Sequence, residues 1–225
     1  MKRCLSLLLC ILLALPPVNA AVEQISFLDD YDAIENASNA VLYIETDDDY
    51  DDEQITTGSG FVAFNNRTFV TNYHVIEDAV SIEVFDEDYN EYAFGKILAT
   101  DKERDIAILS LESAIPGGSS IPLEPLALAV DPAIKRGQPV ATIGYPKGLF
   151  NTFSTGIISA IIDFDNRKTI QFTAPVSHGS SGGALFNTAG EVIGITSSTI
   201  EDGQNINYAI HISHVIDLYQ QYYPS

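Results

Sequence analysis

No cysteine lies beyond residue 10, since Cys4 and Cys10 are the only two in the chain. Both sit in an N-terminal leader, so the mature protein is expected to hold neither a disulfide nor a cysteine-ligated metal. Basic side chains are also scarce. Lys and Arg number 11 against 31 Asp and Glu, a net charge of −20. Such a surface repels nucleic acid phosphates and anionic membranes and favours solubility and cationic partners. After the leader no apolar run reaches the ~20 residues needed to span a bilayer. No transmembrane segment is therefore expected, and the mature chain reads as soluble. No internal sequence repeat is evident.

The leader occupies residues 1–20. Lys2 and Arg3 precede the apolar run Leu5–Leu15, Pro16-Pro17 breaks it, and Val18-Asn19-Ala20 supplies small residues for cleavage. This is the pattern of a secretory signal peptide cut after Ala20, which predicts an exported protein, periplasmic or secreted. An uncleaved anchor would need a longer run. Removal of Lys2 and Arg3 leaves 9 basic against 31 acidic side chains, a net of −22.

From Gly58 onward the chain reads as short strands separated by turns. Gly60–Phe64 and Arg67–Thr71 flank Asn65-Asn66, a hairpin signal. Ser81–Asp86 and Ala93–Ala99 are rich in β-branched and aromatic residues, and Asp105–Leu111 alternates little, as a strand buried on both faces does. Pro116-Gly117-Gly118 and Pro122 mark a linker. Six more strands follow, over Pro139–Tyr145, Phe153–Ile162, Lys168–Thr173, Gly183–Phe186, Glu191–Ser198 and Asn205–Ile210. One short helix is expected over Tyr31–Ser38, and helical spacing is confined to the end, where Val215, Ile216, Leu218, Tyr219 and Tyr222 line one face. The expectation is an all-β pair of barrels. The first covers about 40–112, a linker 113–125, the second about 126–212, and a C-terminal helix 213–222.

Glu45–Glu53 holds seven carboxylates in nine residues. A calcium loop wants alternating oxygen ligands and a turn glycine, and this run has neither, so it reads as a solvated loop.

Chemistry points to Gly179-Ser180-Ser181-Gly182-Gly183. A small-residue turn between two strands exposes one hydroxyl and aims backbone N–H groups the same way. Acyl transfer needs both: Ser181 as nucleophile, and the N–H groups of Gly179 and Ser181 as an oxyanion hole. A base must accompany the serine. His74, in Thr71-Asn72-Tyr73-His74-Val75, is preferred to His178, His211 and His214 for its context just after a strand-like run. Asp105 opens the apolar run Ile106-Ala107-Ile108-Leu109, where an unpaired carboxylate is costly, and is the candidate to orient the imidazole. The order His, Asp, Ser is one of the known arrangements of this triad.

Four stretches in that order resemble the chymotrypsin-fold serine proteases, in particular the HtrA/Deg-like branch. They are Gly58-Ser59-Gly60-Phe61 with Thr71–Val75, Asp105–Leu109, Ile143–Leu149 with Thr155–Ser159, and Ala174–Leu185. The resemblance implies two packed six-stranded antiparallel barrels and a serine endopeptidase acting on proteins or peptides, with no metal or cofactor. It implies the triad His74, Asp105 and Ser181. It also implies a primary pocket near Pro175, Val176 and His178, faced by Thr196, Ser197, Ser198 and Asn207. Pro175 carries no charge where trypsin-like relatives place an acid, so small or medium apolar substrate residues are expected. The rival is a glutamyl endopeptidase, with His178, His211, Thr196 and Ser198 offered to the substrate carboxylate. Ser180 replaces the acid that in digestive relatives pairs with a new N-terminus, so activation by such cleavage is not expected. A chain ending at Ser225 is expected to lack the PDZ domain common in the family. A binding module of the same fold without activity, and an acidic cation-binding protein, are the readings from other classes.

Overall fold

A computed structural model of the protein describes residues 26–47, 55–114, 123–130, 132–146, 151–164, 167–199 and 206–224, the side chains of 113, 114, 164, 198 and 199 excepted. Most of the acidic run (48–54) and most of the linker (115–122) lie outside the described residues.

The first six strands are β1 (Val41–Asp47), β2 (Thr56–Val62), β3 (Thr68–Thr71), β4 (Ser81–Phe85), β5 (Glu91–Asp101) and β6 (Ile106–Ala114). They close into an antiparallel barrel in the order β1-β2-β3-β6-β5-β4. The second six are β7 (Pro139–Gly144), β8 (Thr152–Phe164), β9 (Arg167–Phe172), β10 (Ala184–Phe186), β11 (Val192–Thr199) and β12 (Asn207–His211). Their barrel repeats the order, as β7-β8-β9-β12-β11-β10. The expected pair of six-stranded barrels is the observed fold.

Strand periodicity explains how the barrels meet. Successive side chains point to opposite faces. Leu42, Ile44, Val62, Phe69 and Leu109 fill the interior of the first barrel. Their neighbours Val41, Tyr43, Phe61, Val70 and Ile108 join Ile143, Phe186 and Ile195 of the second barrel in a shared core. Val140, Ile158, Ile170, Phe172 and Leu185 fill the second interior. Ile106 to Leu109 are fully buried because β6 faces one barrel's interior on one side and the shared core on the other. That is why the run does not alternate.

Helices are few. A 3₁₀ turn over Phe27–Asp29 seats Phe27 on Phe186, with ring centroids 5.1 Å apart. Helix α1 (Tyr31–Ser38) occupies its predicted span, and Asp30 Oδ1 accepts the Ala33 N–H at 3.1 Å as its cap. Helix α2 (Tyr73–Ile76) is a single turn that the sequence reading left out. Helix α3 (Ile212–Tyr222) closes the chain, burying Ile212, Val215 and Leu218.

The first hairpin departs from expectation. Strand β2 ends at Val62 rather than Phe64, because the chain turns at Ala63 and Phe64 takes a left-handed φ of 66°. Asn65 Oδ1 accepts the Arg67 N–H at 2.9 Å and the Thr68 hydroxyl at 3.1 Å, closing the turn. Phe64, freed from the strand, stacks on Tyr219 of α3 at 3.7 Å.

Candidate active site

Asn72 leads from β3 into α2, which places His74 in the helical turn. Asp105 stands at the end of the β5–β6 turn with φ of 58°. A left-handed conformation costs a non-glycine residue roughly 1–2 kcal/mol. Asn72 Nδ2 donates to the Asp105 carbonyl at 2.9 Å and fixes that conformation. Its amide thus braces the turn instead of capping α2.

The carboxylate grips His74 at two points. Asp105 Oδ1 accepts the His74 backbone N–H at 2.9 Å, and Oδ2 lies 2.8 Å from His74 Nδ1. The Ser197 hydroxyl donates to Oδ2 at 3.2 Å. Burial pushes the Asp105 carboxyl up, but the bonds from the His74 ring and backbone, the His74 charge and the Ser197 bond outweigh it and hold the carboxyl below its ordinary value. The Asp105 side chain is 15% exposed and that of His74 45%, so the acid sits behind the ring. With Nδ1 donating to the carboxylate, Nε2 of His74 is left as the acceptor.

The serine loop is a hydrogen-bonded turn. Ser180 N–H donates to Ser177 C=O at 2.9 Å, and Gly179 takes φ of 89° at the position where such a turn favours glycine. Gly182 has φ of 90°, and a Cβ there would lie 1.9 Å from the Ser59 carbonyl oxygen. Ser180, buried where digestive relatives carry an acid, is satisfied without charge: its Oγ accepts the Ser177 N–H at 3.3 Å and its carbonyl accepts the Thr196 hydroxyl at 2.5 Å. The N–H groups of Gly179 and Ser181 have no acceptor among the described residues. The Ser181 hydroxyl donates to Ser197 C=O at 2.7 Å. Ser197 therefore links serine to aspartate, its carbonyl to one and its hydroxyl to the other.

Of the residues expected at the pocket, Pro175, Val176 and Thr196 line one narrow cleft with Gly144, Pro146 and Ser154, and among the described residues no charged side chain lines it. Thr196 is buried, however, and its hydroxyl is committed to the Ser180 and Gly183 carbonyls. Asn207 is buried behind the loop, with Nδ2 on Ala174 C=O at 2.8 Å. His178 is exposed on the 177–180 turn. The Ser198 side chain lies outside the described residues. His211 is buried and caps α3, with Nδ1 accepting the Ser213 N–H at 3.2 Å. Among the described residues no group of three or more His, Cys, Asp or Glu side chains is placed to hold a metal ion.

Sequence reasoning missed Asn72, Ser59 and the roles of Ser197. The one available signal was Gly58-Ser59-Gly60 inside a strand, since strand glycines mark close backbone approach.

Comparison with known proteins places the chain among serine proteases. Residues 58–195 match the family profile described as a trypsin-like peptidase domain. The chain is 34% identical over 163 residues to a putative serine protease, HhoA, of Synechocystis, covering 69% of this chain and 40% of the relative. It is 36% identical over 176 residues to a probable periplasmic serine endoprotease, DegP-like, of Pseudomonas fluorescens, covering 75% of this chain and 35% of the relative. It thus spans at most two fifths of the length of these two relatives. Among solved structures, the serine endoprotease from Yersinia pestis superposes with a TM-score of 0.71 at 27% identity, covering 84% of this chain and 65% of that one. The HtrA-type protease AlgW with tripeptide gives 0.71 at 28%, covering 84% and 62%.

Proposed function

This chain belongs to the trypsin-like peptidase family, on its HtrA/DegP branch, and from that premise we propose that it is an exported serine endopeptidase working through an acyl-enzyme. The observation that carries the reading is the two-point grip of Asp105 on His74, which fixes the ring with Nε2 as the acceptor. In the reaction a rotation about the Ser181 Cα–Cβ bond moves its hydroxyl from Ser197 C=O to His74 Nε2. Such catalytic bonds commonly form only with substrate in place. Ser181 Oγ attacks the scissile carbonyl carbon and its proton passes to Nε2. The N–H groups of Gly179 and Ser181 receive the charge that develops on the carbonyl oxygen. The C–N bond breaks, the leaving amine takes the proton from Nε2, and water hydrolyses the acyl-Ser181 ester by the same route. Asp105 stays ionised throughout and stabilises the imidazolium.

Export is supported by the leader 1–20 and by the description of the Pseudomonas relative as periplasmic. Protein or peptide substrates follow from the family. A cleft under Pro175 and Val176 that carries no charge among the described residues supports cleavage after small or medium apolar residues. The glutamyl alternative loses ground, because Thr196 already donates to backbone carbonyls and His211 caps α3. The test pairs a fluorophosphonate probe with a denatured protein substrate. The wild type should label and cleave, while Ser181→Ala should do neither and melt within a few degrees of the wild type. Undiminished cleavage by Ser181→Ala would remove the assignment. Cleavage mainly after Glu in a peptide library would overturn the pocket.

A further inference from the structure

Ser59 lies in β2 of the first barrel and is fully buried. Its polar atoms meet the serine loop of the second barrel. Oγ donates to Gly179 C=O at 2.7 Å and accepts the Tyr145 N–H at 2.9 Å. Its N–H donates to Ser181 C=O at 2.7 Å, and its own carbonyl is held by the Thr71 hydroxyl at 2.7 Å. The two carbonyls it holds thus belong to Gly179 and Ser181, whose N–H groups have no acceptor among the described residues.

A peptide unit is planar, so holding its C=O fixes the N–H across it. The 179–180 unit is held at both ends, by Ser59 Oγ on Gly179 C=O and by Ser177 C=O on Ser180 N–H. Only rotations at Gly179 itself then aim its own N–H. The 180–181 unit is held through Thr196 Oγ1 on Ser180 C=O, which directs the Ser181 N–H the opposite way. Neither barrel supplies all of these bonds.

We propose that Ser59 is a positioning residue for the oxyanion hole, a strut from the first barrel that keeps the Gly179 N–H aimed at the developing charge. The inference rests on the reading of Ser181 as nucleophile. Side-chain size alone does not explain a serine here. Alanine would fit the space, but it would leave Gly179 C=O and Tyr145 N–H buried and without their partner, free to turn toward other acceptors and donors.

Ser59→Ala and Ser59→Cys test this, since Cys keeps the shape but donates weakly. Both are assayed on a peptide substrate beside the wild type, with the folded fraction taken from circular dichroism. The expected result is a loss of about ten- to a hundredfold in kcat per folded molecule, short of the 10²–10³ lost when a donor is removed outright. KM should stay within about twofold, because the interaction matters in the transition state. The pH midpoint of kcat/KM should not move, because Ser59 does not touch the His74–Asp105 pair. If Ser59→Ala fails to fold, Ser59→Cys decides. Unchanged kcat, or a loss confined to KM, beside an active wild type overturns this inference alone. A wild type that neither labels with fluorophosphonate nor cleaves removes the peptidase reading and this inference with it.

Discussion

At the scale of single residues, the site depends on a strained aspartate held by an asparagine. Asp105 keeps a left-handed φ because Asn72 Nδ2 bonds its carbonyl while His74 occupies both carboxylate oxygens. Asn72→Ala removes the brace inside a fully buried site. It should cost about 1–3 kcal/mol of stability, read from urea unfolding, and lower kcat as Asp105 loses its pose. A change under about 0.5 kcal/mol would mean the brace is idle. The carboxylate also carries a pH signature. Its folded pKa lies below the ordinary value of about 3.9. Its contribution is therefore complete above that value and is lost as the pH falls through the lower folded one. The difference in melting temperature between wild type and Asp105→Asn should thus hold from pH 6 to pH 4 and shrink below it. The pairing of Asp105 with His74 was legible because a carboxylate that opens an apolar run needs a partner. Asn72 was not, because an asparagine before a helical turn reads as a cap, and only the fold shows its amide turned 33 residues along the chain to Asp105.

At the scale of elements, helix α3 is fastened to the second barrel by a histidine. His214 Nε2 accepts the Lys168 backbone N–H of β9 at 2.9 Å. Burial lowers its pKa most, and the nearby Arg104 adds to this, while Asp217, Asp101 and Asp163 pull the other way. A histidine whose folded pKa lies below its unfolded one stabilises fully above about pH 6.5. That contribution fades as the pH falls below it, because the unfolded chain then binds more protons. Wild-type melting temperature should fall between pH 7 and pH 5, and His214→Gln should flatten that slope. Equal slopes would show that His214 does not titrate on unfolding. The helix was readable from its 3.6-residue spacing. Its fastening was not, since Lys168 lies 46 residues away and no local rule pairs a ring nitrogen with a remote strand amide. The same holds for Phe64, whose stacking on Tyr219 depends on a left-handed turn that the apolar pattern does not signal.

At the scale of the whole molecule, two barrels of one strand order meet along a shared core, and Ser197 of the second, whose carbonyl takes the Ser181 hydroxyl, reaches Asp105 of the first. The duplication is invisible in the sequence because a barrel constrains only inward or outward alternation, which many residues satisfy. The net charge of −20 was legible at once and acts through space on any substrate that approaches. A negative field raises the local concentration of cationic peptides and lowers that of acidic ones, with a reach of about 10 Å at 0.1 M salt and about 3 Å at 1 M. Two peptides with the same apolar residue before the scissile bond, one flanked by lysines and the other by glutamates, should therefore respond to salt in opposite ways. Raising ionic strength from about 20 mM to about 500 mM should lower kcat/KM for the lysine peptide and raise it for the glutamate peptide, by up to about tenfold each. A neutral peptide should barely respond. The effect belongs to encounter, so kcat at saturation should stay constant for all three. If the charged peptides respond alike, salt is acting on the enzyme itself and the global field does not select substrates.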